Sequence, residues 1–111
     1  MNVYDTANRL AAEIKESEEY TRFKAIKEQI YSNPELKEKI EQFEKARYEM
    51  QVAALQGGKP LEEKSTQIQN LYAELIQNEQ VKDYFDSEIK FNVLLADVNK
   101  IIGEAIKDLI R

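Results

Sequence analysis

Apolar residues return at gaps of three and four along almost the whole chain, and only three glycines and two prolines interrupt them. That is the helical period, and no stretch shows the two-residue alternation of a half-buried strand. The expected fold class is therefore all-α. About five helices are expected, as a bundle or hairpin in which the third and last are long. Residues 1–111 read as a single domain, in keeping with their number.

The breaks between helices carry recognisable chemistry. Val3, Ala7, Leu10 and Ile14 make a first stripe, and Ser17 stands in N-cap position before a second through Tyr20, Phe23, Ile26 and Ile30. In Asn33-Pro34-Glu35 the Asn accepts from orphan N–H groups, Pro loses no bond at the first helical position, and Glu meets the positive end of the helix dipole. The helix that follows places Leu36, Ile40, Phe43, Met50 and Ala54 on one stripe, with Tyr48, Val52 and Leu55 beside it. Gly57-Gly58-Lys59-Pro60 stops it, since Gly tolerates the left-handed conformation and Pro cannot resume a helix. A fourth helix presents Leu61, Ile68, Leu71, Tyr72, Leu75 and Ile76. Asn78 then opens a last one, roughly 45 Å long at 1.5 Å per residue, with Tyr84, Phe91, Leu95, Val98, Ile102, Ala105 and Leu109. The shared cap of Asn33 and Asn78 reads as the same start used twice, not as a duplicated domain.

The apolar residues of the last helix come in adjacent pairs: Leu94 with Leu95, Ile101 with Ile102, Ala105 with Ile106, Leu109 with Ile110. Such a stripe is wider than a coiled-coil seam and suits a helix with two neighbours, one of them from a second copy. Because most soluble oligomers are symmetric dimers, a homodimer through the long helices is expected, with Phe91, Leu95, Val98, Ile102 and Leu109 at its interface. Two charges interrupt the stripes, Arg47 between Phe43 and Met50 and Glu88 between Tyr84 and Phe91. A charge on a buried stripe is costly unless paired, so Arg47 and Glu88 are expected to form a structural ion pair. The six tyrosines fit helical stripes as core-edge residues with their hydroxyls in water.

Composition narrows the chemistry. With no His and no Cys, the chain holds no Ser-His-Asp or Cys-His nucleophile, no imidazole or thiolate metal site and no disulfide. Glu79, Asp83 and Asp86 share a helix face, yet neighbouring lysines and the helix dipole make that a solvated acidic turn, not a cation site. No catalytic, cofactor-binding or metal residue is expected, and no enzyme. A net charge of −5, with lysines interleaved among glutamates, disfavours nucleic acid as a partner. The first five residues lack the make-up of a signal peptide, and no uncharged run approaches the roughly 18 residues of a membrane span. A cytoplasmic protein is expected.

Several short segments, in this order, resemble the YlbF/YmcA family of small helical bacterial proteins, and within it the YheA-like branch. They are Asn2-Val3-Tyr4-Asp5, Ser17-Glu18-Glu19-Tyr20 with Arg22, Asn33-Pro34-Glu35, Phe43 with Gln51, and the Gly57-Gly58 turn. Asn78, Glu88 and Asp97-Val98-Asn99-Lys100-Ile101-Ile102 complete the match, which spans nearly the whole chain. The resemblance implies an all-helical, dimer-forming cytoplasmic protein of Gram-positive bacteria with no catalytic activity. It also implies an accessory role, since relatives influence competence, biofilm formation, sporulation and mRNA processing in complexes with other proteins. The iron–sulfur clusters of some relatives do not carry over, because this chain has no cysteine to ligate them. The functional expectation is a regulatory protein–protein interaction module with a protein partner still to be identified. The alternative is a structural or chaperone-like scaffold that holds a partner helix in a groove.

Overall fold

The structure is a computed structural model, and it describes residues 2–57 and 62–110. Five helices follow one another: α1 (Val3–Glu16), α2 (Glu18–Tyr31), α3 (Pro34–Leu55), α4 (Glu62–Leu75) and α5 (Glu79–Ile110). Among the described residues there is no strand. The third and last helices are the long ones, at 22 and 32 residues. Expectations that fell on Gly58, Lys59, Pro60, Leu61 and the Ile110 side chain lie outside the described residues.

Each predicted break has its cap. The Asn2 side chain accepts from the Tyr4 N–H at 2.9 Å. Ser17 takes an extended backbone (φ −65°, ψ 151°) that stops α1, and its Oγ accepts from the Tyr20 N–H at 3.2 Å to start α2. Asn33 Oδ1 accepts from the N–H groups of Glu35 (3.1 Å) and Leu36 (3.3 Å). Asn78 Oδ1 does the same for Gln80 (2.9 Å) and Val81 (3.3 Å). At the end of α3, Gly57 has φ +79°, the left-handed conformation in which a side chain is strained.

The chain divides into two units, one made of Met1–Ile26 and Tyr84–Arg111, the other of Lys27–Asp83. In the second unit α3 and α4 form an antiparallel hairpin. Its direction shows in its ion pairs. Lys39 of α3 meets Glu74 at 2.8 Å, and Glu49, ten residues further along α3, meets Lys64, ten residues earlier in α4. Phe43 and Tyr72 stack between them at 6.0 Å. Ile30, Ile40, Phe43, Ala46, Leu75 and Val81 are buried in this unit. Its hairpin also shifts two titrations. The hydrogen bond to Glu74, reinforced by its charge, raises the Lys39 ammonium above the usual 10.5, and the hydrogen bond from Lys64, with its charge, lowers the Glu49 carboxyl below 4.5.

Two expectations are corrected. Arg47 was placed on the buried stripe of α3, but it is exposed, and Ala46 is buried instead. Arg47 lies about 20° around the helix from Ile40, within the arc that Ile40, Phe43 and Ala46 span, but its long side chain carries the guanidinium out to water. The guanidinium lies 5.5 Å from the Phe43 ring centroid and keeps its contact with water. Tyr84, expected at the core edge, is only 1% exposed, with Phe23 and Phe85 rings at 5.5 and 5.6 Å. A full complement of rings around it outweighs the preference of its hydroxyl for water. Among the described residues no buried side-chain polar atom lacks a hydrogen-bond partner.

Candidate interaction surface

Within the first unit, aromatic rings hold α2 against α5. Phe91 stands 5.8 Å from both Tyr20 and Phe23, and Phe23 also reaches Tyr84. Toward the C-terminal end of α5 that cover gives out. Leu94, Leu95 and Val98 are half-buried, while every described side chain from Glu104 to Leu109 is exposed. Ile101 is 71% exposed and Leu109 88%.

Helix α1 shows the same openness. Val3, Ala7, Leu10 and Ile14 fall on one face, as the sequence pattern requires, yet no residue of α1 is buried. Leu10 and Ile14 are half-buried, whereas Val3 and Tyr4 are each 79% exposed. Between α1 and α5 lies an open apolar cavity of about 410 Å³, lined by Val3, Thr6, Ala7, Leu10 and Ile102. An amphipathic helix gains stability by burying its apolar face, so such a face left in water is the mark of an interaction site.

The expected interface residues divide along this gradient. Phe91 belongs to the ring cluster, Leu95 and Val98 are half-buried, and Ile102 and Leu109 stand open. Val3, Tyr4, Ile101 and Ile106, which the expected interface omitted, are exposed beside them. The doubled apolar pairs of α5 already carried the signal for Ile101 and Ile106. Val3 and Tyr4 carried none, since a first helical turn looks the same whether covered or bare. Arg47 and Glu88 fall in different units, Arg47 exposed and Glu88 half-buried.

The second unit has a shallower feature. Arg47, Met50, Gln51, Ala54 and Ile68 line a groove of about 390 Å³ between α3 and α4. The face of α4 with Glu62, Glu63 and Glu74 is open and acidic. Among the described residues no three carboxylates come together to hold a metal ion, and no helix is long and apolar enough to cross a membrane.

A family model described as "Control of competence regulator ComK, YlbF/YmcA" matches residues 3–107. The chain belongs to the YlbF/YmcA family. A UPF0342 protein of Symbiobacterium thermophilum is 40% identical to it over 104 residues, which covers 94% of this chain and 93% of that protein. Among solved structures of similar fold, yheA from Bacillus subtilis superposes with a TM-score of 0.72 at 24% identity, covering 98% of this chain and 99% of that one. A chain of the Bacillus subtilis RicA structure, solved in complex with RicF, gives 0.62 at 22% identity, covering 98% and 96%. The family read from the short segments of the sequence is thus the one found, YheA included. The two structural likenesses show the all-helical fold.

Proposed function

We propose that this chain is a non-enzymatic, regulatory protein–protein interaction module of the YlbF/YmcA type, working in the cytoplasm as a homodimer. The observation that carries the reading is the uncovered apolar face of α1 and the C-terminal half of α5. The description of the family as one that controls a competence regulator supports a regulatory role, and the RicA–RicF complex supports partnership with other proteins. The lack of His and Cys supports the non-enzymatic part. Residues 1–111 act as one domain in this proposal, which the family match across both units supports.

Two measurements test it. Light scattering after size exclusion should give twice the 13.0 kDa chain mass at micromolar concentration. Affinity capture from a native lysate should return one stoichiometric partner. A monomer in the first measurement, or many unrelated clients in the second, counts against the proposal. The latter result would favour a second reading, a scaffold that takes partner helices in the groove lined by Arg47, Met50 and Ile68.

A further inference from the structure

The α3–α4 hairpin leaves one flank open. Arg47, Met50, Gln51 and Ala54 line the α3 wall of a groove there, and Ile68 lines the α4 wall. The four α3 residues stand at i, i+3, i+4 and i+7, so they share one face of the helix over about 10 Å, the length of two turns of another helix. Met50 and Ile68 are half-buried, while Arg47, Gln51 and Ala54 are exposed. Met50 adapts to what it meets, and Ala54 is small enough for another backbone to come close. The charges around the groove are one-sided. Among the described residues that line it only Arg47 is charged, and Arg47 pairs with no described carboxylate. Its guanidinium lies 5.5 Å from the Phe43 ring centroid, a contact that holds the planar group beside the groove while its N–H fork stays open to water. Glu49 is engaged by Lys64. The open carboxylates of α4, Glu62, Glu63 and Glu74, lie about 120° or more from Ile68 around that helix, and none of them lines the groove.

We propose that this groove docks an amphipathic helix of a partner protein, one whose apolar ridge carries an Asp or Glu where it passes Arg47. This docking rests on the reading of the chain as a protein-interaction module. It gives the module's partner a surface in the Lys27–Asp83 unit, which does not contain the apolar face of α1 and α5. Apolar side chains at i, i+3 and i+7 of the incoming helix lie along Met50, Ala54 and Ile68 in the cavity of about 390 Å³, while the rest of that helix stays at the surface. The carboxylate meets the Arg47 fork in a charge-assisted, two-pronged hydrogen bond, which sets the register of the helix. A lysine at the same place would face like charge, so the contact also selects against basic helices.

The test is a fluorescence-anisotropy titration of the full chain against two synthetic helical peptides of about 16 residues. The first has leucines at i, i+3 and i+7 and a glutamate beside each end of that ridge, so that one of them meets Arg47 in either direction. Its twin has lysines in place of the glutamates. The net charge of −5 works against the acidic peptide, so any preference for it has to come from the groove. The acidic peptide is expected to bind at least about tenfold more tightly than its twin. Arg47→Glu should reverse that order, which a loss of folding cannot imitate. Ala54→Glu, at an exposed position, should weaken the acidic peptide with helical circular dichroism unchanged. Ile106→Glu, in the other unit, should leave both peptides as they were. If the twin binds as tightly, if Arg47→Glu does not reverse the order, or if neither peptide binds at about 100 µM, the groove is not this docking site. The module reading is decided separately. It stands if the native and Arg47→Glu chains capture the same stoichiometric partner from a lysate, and it falls if the native chain captures none.

Discussion

The Lys27–Asp83 unit buries Ile30, Ile40, Phe43 and Leu75 almost completely, whereas in the other unit a strongly amphipathic α1 has no fully buried residue and the described side chains of α5 beyond Gly103 are exposed. Helices of similar apolar content thus end in opposite states. The first unit does have a core, made of Tyr84, Phe85 and the rings of Tyr20, Phe23 and Phe91, but it occupies only part of the length of α5. A helix of 32 residues extends about 48 Å, and its described side chains beyond Gly103 are all exposed. The difference separates apolar residues that hold the fold from those that are available to a partner.

The widest expected contrast lies between Phe43 and Ile101. Phe43→Ala removes a ring that is 5% exposed and should cost about 3–5 kcal/mol in chemical denaturation. Ile101→Ala, at a concentration low enough to keep the chain monomeric, should change stability by less than about 0.5 kcal/mol. Equal losses would mean that α5 around Ile101 is covered within its own chain, and the comparison would break.

How much of this was legible beforehand depends on which interaction decides each feature. Helix starts were, because a cap is local: Ser17, Asn33 and Asn78 each bind N–H groups two or three residues ahead. The stop at Gly57 was legible for the same reason. The exposure of Arg47 was not, because the face of α3 it shares with Ile40 and Phe43 does not say where a long side chain carries its charge. Tyr84 was misplaced because a tyrosine's depth is set by the rings that meet it from distant segments. The bare face of α1 was hidden too. Its stripe is as regular as that of a buried helix, and only the folded chain shows that Leu10 and Ile14 are half-covered and Val3 left open.

Caps sharpen the comparison at the next scale. Asn33→Ala and Asn78→Ala leave N–H groups unsatisfied at the starts of helices whose residues are buried, and each should lower stability by about 1 kcal/mol in denaturant titration. Asn2→Ala removes the same kind of bond from α1. Since the first turn of α1 is exposed, it should fray with a slight loss of helical circular dichroism and no shift of the main melt. A full 1 kcal/mol loss from Asn2→Ala would show that α1 is coupled to the core.

Arg47, exposed with its guanidinium 5.5 Å from the Phe43 ring centroid, tests a contact at the edge of the hairpin. Arg47→Ala should cost about 0.5–1 kcal/mol in denaturant titration, and Arg47→Lys should restore only part of it.

The smallest effect sits in the hairpin, where two ion pairs give the second unit opposite pH limbs. Glu49 titrates below its ordinary 4.5, because the hydrogen bond and charge of Lys64 favour its ionised form. Its contribution is therefore present above pH 4.5 and is lost as the pH falls through the lowered value. Lys39 titrates above its ordinary 10.5, because the hydrogen bond and charge of Glu74 hold its proton. Its contribution is complete below pH 10.5 and is lost as the pH rises through the raised value. Lys64→Met should flatten the acid limb of stability against pH and leave the alkaline limb alone, and Lys39→Met should do the reverse. Both pairs are solvent-accessible, so 1 M salt should shrink the two limbs together. In the first unit Lys107 pairs with Glu104 in an i,i+3 contact on the exposed end of α5. Substituting Lys107→Met should leave both limbs in place, and a changed acid limb there would move the pH-sensitive electrostatics out of the hairpin.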